Sequence, residues 1–108
     1  MERQARLLRD YEDHAIRLTG ERLAHILAHP EMEGMDEMVE EALATPDRVV
    51  QSPNDSNVRL YYRYYPTTRM GGKFLCVVVK MATEDAFIIT AYLTDRIKRG
   101  RVVWERRR

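Results

Sequence analysis

Near Pro46 the spacing of the apolar residues changes, and that change decides what the chain can fold into. Before it, Leu23, Ile26 and Leu27 stand at i, i+3 and i+4, the stripe of an amphipathic helix. Thr19 is a natural N-cap and Glu21 sits in the first turn, so a helix is expected from Gly20 to about His29, stopped by Pro30. Met35, Met38, Val39, Ala42 and Leu43 share the face of a second helix that Pro46 closes, while Glu37, Glu40 and Glu41 face water. Beyond Pro46 the period is that of strands. "RVVQS" (48–52), "VRLYYRYYP" (58–66), "KFLCVVVKM" (73–81) and "DAFIITAYLT" (85–94) are β-branched and aromatic. "PNDSN", "TTRMGG" and "ATED" separate them at lengths suited to antiparallel turns. "RVVWE" (101–105) is read as a last strand, and "HAIRLT" (14–19) as a short one that alternates weakly.

The expected architecture is therefore α+β, with two N-terminal helices packed on a four- to five-stranded antiparallel sheet. Residues 1–12 are polar and read as an arm or short helix before a single domain at 13–108. Strand parity divides the sheet faces. Phe87, Ile89, Ala91 and Leu93 are apolar and belong to the core, which leaves Thr90, Tyr92 and Thr94 on an open face. Arg59, Tyr61, Arg63 and Tyr65 share one parity, and their arginines assign them to that same open face.

Net charge is +1, but it is unevenly spread. Residues 1–55 hold 13 acids and 6 bases, and residues 56–108 hold 4 acids and 12 bases, so the halves carry −7 and +8. With bases bunched in "RIKRGRVVWERRR", a polyanion-facing surface is expected from the second half. The alternative is a fold that interleaves the halves and cancels the field. No apolar run approaches the ~20 residues of a membrane span. "MERQARLLRDYEDH" has no signal-peptide core, so a cytoplasmic location is expected. The one cysteine, Cys76, lies in "FLCVVV" and reads as a buried, inert thiol.

"RLTGERLAHILAHPEM", "ATPDRVVQS", "LYYRYYPTT", "GGKFLCVVVK" and "FIITAYLTDRIKRGRVVW" follow one another over residues 17–104. In that order they resemble phage- and prokaryote-associated members of the barnase–EndoU–colicin–RelE-like (BECR) nuclease superfamily. The resemblance implies N-terminal helices on a four-stranded antiparallel sheet and metal-independent RNA cleavage. It also implies a toxin-like role, with tRNA or mRNA as substrate and an antitoxin or immunity protein as partner.

Such cleavage uses the 2′-hydroxyl of RNA as nucleophile, so the protein must supply a base, an acid and cations for the phosphorane. His25 and His29 lie on one helix face and suit proton transfer. Arg63 offers bidentate phosphate contact, and Thr90 and Tyr92 could orient the phosphate. Lys73, Lys80, Lys98, Tyr61 and Thr94 complete an expected substrate-binding set. Each has an ordinary alternative: the histidines as surface helix residues, "YYRYY" as a packed strand, and the whole chain as an inactive RNA- or protein-binding domain of the same fold. Neither a metal nor a cofactor is expected. His25 and His29 have zinc-compatible spacing, but Ile26 stands where the metalloprotease pattern needs Glu, and Glu31 lies beyond Pro30.

Overall fold

The structure is a computed structural model that describes residues 5–107. Its first elements are a hairpin, β1 (Arg6–Arg9) and β2 (Ala15–Leu18), followed by α1 (Gly20–Leu27), a 3-10 turn (Pro30–Met32) and α2 (Asp36–Ala44). Then come β3 (Arg48–Gln51), β4 (Val58–Tyr65), β5 (Lys73–Ala82), β6 (Asp85–Thr94) and β7 (Arg101–Glu105). All the strands join one seven-stranded sheet in the order β1-β2-β6-β5-β4-β3-β7. The β2–β6 pair is parallel and every other pair is antiparallel.

This corrects the expected layer arrangement. The sheet is larger than four or five strands, it is mixed, and a hairpin precedes the helices. The stretch read as an arm or short helix contributes β1, because Leu8 and, on β2, Ile16 and Leu18 are buried and extend the sheet. Residues 1–4 of that arm, and Arg108 of the terminal arginine run, lie outside the described residues. A parallel β2–β6 pair needs a long crossover, and the intervening helices and strands supply it.

The helices start and stop for the reasons the sequence gives. Thr19 Oγ1 accepts the Arg22 amide at 3.0 Å, and α1 ends at Ala28, ahead of Pro30. Asp36 and Glu37 face the positive end of the α2 dipole, and Thr45 caps its last turn, with its amide 2.8 Å from Glu41 O. Both helices pack on one face of the sheet, burying Ile26, Val39 and Leu43 against Ile16, Leu75, Val77, Val79 and Ile88. Each fully buried side chain of this kind contributes about 1.5–3 kcal/mol.

The opposite face has its own core of Val50, Val58, Leu60, Tyr62 and Cys76. A strap covers it: the β6–β7 connection, residues 95–100, passes over β5, β4 and β3 to reach the edge. Ile97 packs into that core, the Lys98 amide donates to Tyr62 Oη at 3.1 Å, and Gly100 lies against β3. Two parity expectations fail here. A bulge at Val78/Val79 lets Ile88 join the helix-side core while Ile89 turns to the strap side and Phe87, also expected in the core, faces Arg17 on that same side, although Ala91, Leu93, Thr90 and Tyr92 keep their expected faces. On β4 the assignment is reversed: Tyr61 and Tyr65 pack under the helices with Arg59 and Arg63, and Leu60 and Tyr62 lie under the strap. Among the described residues, no helix is long and apolar enough to cross a membrane.

Candidate functional site

The residues expected to form a catalytic set are not brought together. His25 on α1 and His29, which precedes the 3-10 turn, are both exposed, their rings 6.0 Å apart and nearly perpendicular. The shallow hollow at His25 is lined by Thr19, Glu21, Arg22 and Ala24, with none of the other expected residues. Thr90 and Tyr92 lie across the sheet from them, on the strap side. Arg63 was expected on that open face and is instead on the helix side. Its Nη1 donates to Thr45 O at 2.5 Å and Thr45 Oγ1 at 3.0 Å, and its Nε lies 3.3 Å from Glu41 Oε1. Through Nη1 this guanidinium satisfies the carboxyl end of α2, a capping role, while its buried Nε has no hydrogen-bond partner among the described residues.

The expected substrate-binding residues divide in the same way. Tyr61 is fully buried, Lys80 pairs with Asp55 at 2.6 Å and Lys73 is ion-paired with Asp95. Thr94 Oγ1 accepts the Arg96 amide at 3.4 Å at the start of the strap, and Lys98 is exposed on it. The two charge expectations are reconciled by position. Arg59, Arg63, Arg69 and Lys80, from the basic half, pair with Glu12, Glu41, Glu33 and Asp55 of the acidic half. Arg96, Lys98, Arg99 and Arg101 are exposed and have no ion-pair partner among the described residues. The strap is therefore where the basic half shows its charge. Beside it, exposed Tyr64 and half-buried Phe74, rings 5.2 Å apart, help line a hollow of about 360 Å³ that Ile97 also borders.

Under the strap, burial pushes the Tyr62 phenol up to about 12, with the Cys76 thiol adding to the shift, and burial pushes Cys76 up to about 11. An unfolded chain would release these protons first, near 10.0 and 9.0. Their contribution to stability is therefore full below about pH 9 and is lost as pH rises toward the folded values. Thermal midpoints measured from about pH 8 to 11 should fall, and Tyr62→Phe should flatten the decline. An equal decline in that variant rules Tyr62 out as its source.

The densest titratable cluster was missed by sequence reasoning. Asp10 begins the β1–β2 turn with its carboxylate fully buried. Oδ1 accepts the amides of Glu12 at 2.9 Å and His14 at 2.8 Å, and Oδ2 accepts Tyr61 Oη at 2.7 Å. The His14 ring nitrogen Nδ1 lies 3.0 Å from Oδ2. Burial and the Asp10 hydrogen bond raise the Tyr61 phenol far above its ordinary value. Over the cluster, the Tyr11 and Trp104 rings stand 4.8 Å apart. The readable signal was "DYEDH", an acid four residues before a histidine inside a turn-length polar run. Among the described residues, no three His, Cys, Asp or Glu side chains gather closely enough to hold a metal ion. Comparison of the chain with protein-family models, with curated proteins and with solved structures found no match.

Proposed function

We propose that this chain binds RNA through its basic strap. The observation that carries the reading is the run Arg96, Lys98 and Arg99 on a segment pinned to the sheet by Ile97 and Tyr62, continued by Arg101 at the start of β7, all cations without an ionic partner among the described residues. A pinned cationic ridge suits a phosphate backbone, because its charges are presented without being ordered at the moment of binding. Exposed Tyr64 beside the ridge offers a ring on which a base can stack. The resemblance to RNA-directed BECR proteins favours RNA, as tRNA or mRNA, over other polyanions. Cleavage by His25, His29 and Arg63 forms no part of the reading, since the histidines stand apart from the strap and Arg63 is engaged by Thr45.

Binding of labelled single-stranded RNA across roughly 50–200 mM salt tests this. Affinity should fall linearly on logarithmic axes, with about 0.7 of slope per phosphate contacted on a single strand. Replacing the three strap cations, Arg96, Lys98 and Arg99, with alanine should lower that slope by about 2. Affinity indifferent to salt, or to the loss of these cations, overturns the proposal.

A further inference from the structure

We propose that a hollow at the carboxyl end of α2 seats the terminal, phosphorylated nucleotide of an RNA strand, an inference that rests on the strap binding RNA. The hollow encloses about 430 Å³, and Tyr11, Pro46, Arg63, Trp104 and Arg106 line it. Its defining feature is a pair of guanidiniums drawn to one neutral oxygen. Arg63 Nη1 donates to Thr45 O at 2.5 Å, and Arg106 Nη2 donates to the same carbonyl at 2.9 Å. Two like charges held so close repel each other unless anions offset them.

The carboxylates nearby do so only in part. Glu41 Oε1 lies 3.3 Å from Arg63 Nε, yet that buried nitrogen makes no hydrogen bond among the described residues. The same oxygen accepts the Tyr65 phenol at 2.5 Å. Asp47 Oδ1 stands 3.6 Å from Arg106 Nε, well beyond the ~2.7–2.9 Å of a firm charge-assisted bond, while its Oδ2 accepts the Tyr64 amide at 2.6 Å. Both acids thus approach Nε. The outer nitrogens, Arg63 Nη2 and Arg106 Nη1, have no hydrogen-bond partner among the described residues. Each arginine therefore keeps donors for a phosphate, the group its planar fork suits best. Arg107, exposed and next along the chain, adds a cation with no ion-pair partner among the described residues.

Charge and shape together select the ligand. A phosphodiester within a strand carries one negative charge, whereas a terminal phosphomonoester carries about −1.5 to −2 near pH 7. Two arginines with loosely held counter-ions match the second. Half-buried Trp104 lines the same hollow and is packed against Tyr11 at 4.8 Å, so it offers a fixed ring on which the terminal base stacks. β7 joins this hollow to the strap. It starts at Arg101, where the strap ends, and Arg106 lies about 16 Å further along at the rise of a strand. Arg101 pairs with Gln51, and Gln51 with Arg59, which places Arg101 on the helix side together with Trp104. A backbone laid on the strap is led along β7 and ends in the hollow.

The test uses the full chain and one single-stranded RNA oligonucleotide in three forms: with a 5′-phosphate, with a 3′-phosphate, and with hydroxyls at both ends. Trp104 is the chain's single tryptophan, so its emission reports on the hollow. One phosphorylated form should bind about 10–100-fold tighter than the hydroxyl form and quench that emission. Arg106→Ala should erase the preference without changing affinity for the hydroxyl form. Thr45 O keeps its bond to Arg63 in that variant, so the fold survives it. Arg63→Lys, which keeps the charge and loses the fork, should erase the preference as well. The matching nucleoside monophosphate should compete weakly, because it lacks the strap. Competition equal to that of the strand overturns the strand's part and gives the hollow to free nucleotides. Three forms bound alike with the expected salt dependence, or a preference that survives Arg106→Ala, overturn the end site and leave RNA binding standing. An end preference at undiminished affinity after loss of the strap cations overturns the strap and leaves the end site. RNA that does not bind overturns both.

Discussion

Replacing Asp10 with alanine should lower the unfolding free energy by about 3–5 kcal/mol, read from urea denaturation. The fold of a domain this size is worth about 5–15 kcal/mol, so this would be among the most damaging single changes. The reason is what the side chain leaves behind. Its carboxylate serves the amides of Glu12 and His14, the His14 ring and the Tyr61 phenol. Tyr61 is fully buried, and without Asp10 its hydroxyl keeps only a 4.0 Å approach to Met81 Sδ, too weak to replace a carboxylate. Leaving such a donor unmet costs about 1–3 kcal/mol, and the β1–β2 turn loses its internal acceptor as well. Tyr61→Phe should cost less, because the carboxylate retains its other donors. Arg17→Ala, which removes an exposed pair with Asp85 at 2.9 Å, should cost far less, because solvent screens that pair. If Asp10→Ala proves no worse than Arg17→Ala, the turn is not held by this carboxylate.

The local signals in the sequence were sound, and what escaped them was set by distant partners. Pro30, Pro46 and Thr19 bound the helices where the chain places them, and the strand runs from Arg48 to Glu105 all form. β1 escaped because "RLLR" buries only Leu8, so as an edge strand it carries almost no alternation of its own. The parallel β2–β6 pairing joins Ile16 to Ala86, which no local pattern announces. β4 misled for a different reason: phenols stand on both of its faces, and arginine was taken as a mark of solvent. Arg59 and Arg63 instead point into the helix layer, where Glu12, Glu41 and the Thr45 carbonyl receive them. A buried side of a strand can hold guanidinium groups when a helix end and carboxylates lie opposite. The basic ridge was legible from "RIKRGR". His14 was not, because its significance depends on a carboxylate buried by residues from β4 and on a turn that reverses the chain around it.

Gly100→Ala should destabilise the fold by about 1–3 kcal/mol and weaken RNA binding with it. A β-carbon at this position would fall 2.6 Å from Gln51 O and 2.7 Å from Val50 Cγ1. The first neighbour is backbone within the β3 ladder, and the second is a buried side chain of the strap-side core, so neither can withdraw cheaply. The strap must lift, which draws Ile97 away from its core and the Lys98 amide away from Tyr62. At about 4–8 °C per kcal/mol, the thermal midpoint should drop by several degrees to some twenty. Arg99→Ala separates charge from seating: it should remove about 0.7 from the salt slope and leave the midpoint nearly unchanged. A Gly100→Ala protein that keeps both its midpoint and its affinity would show that the connection is not clamped against β3. The two variants together make rigidity a measurable part of recognition. If the cations worked as a loose tether, lifting the strap would leave their number, and so the salt slope, intact. If they work as a seated ridge, Gly100→Ala should lose slope without losing a single charge.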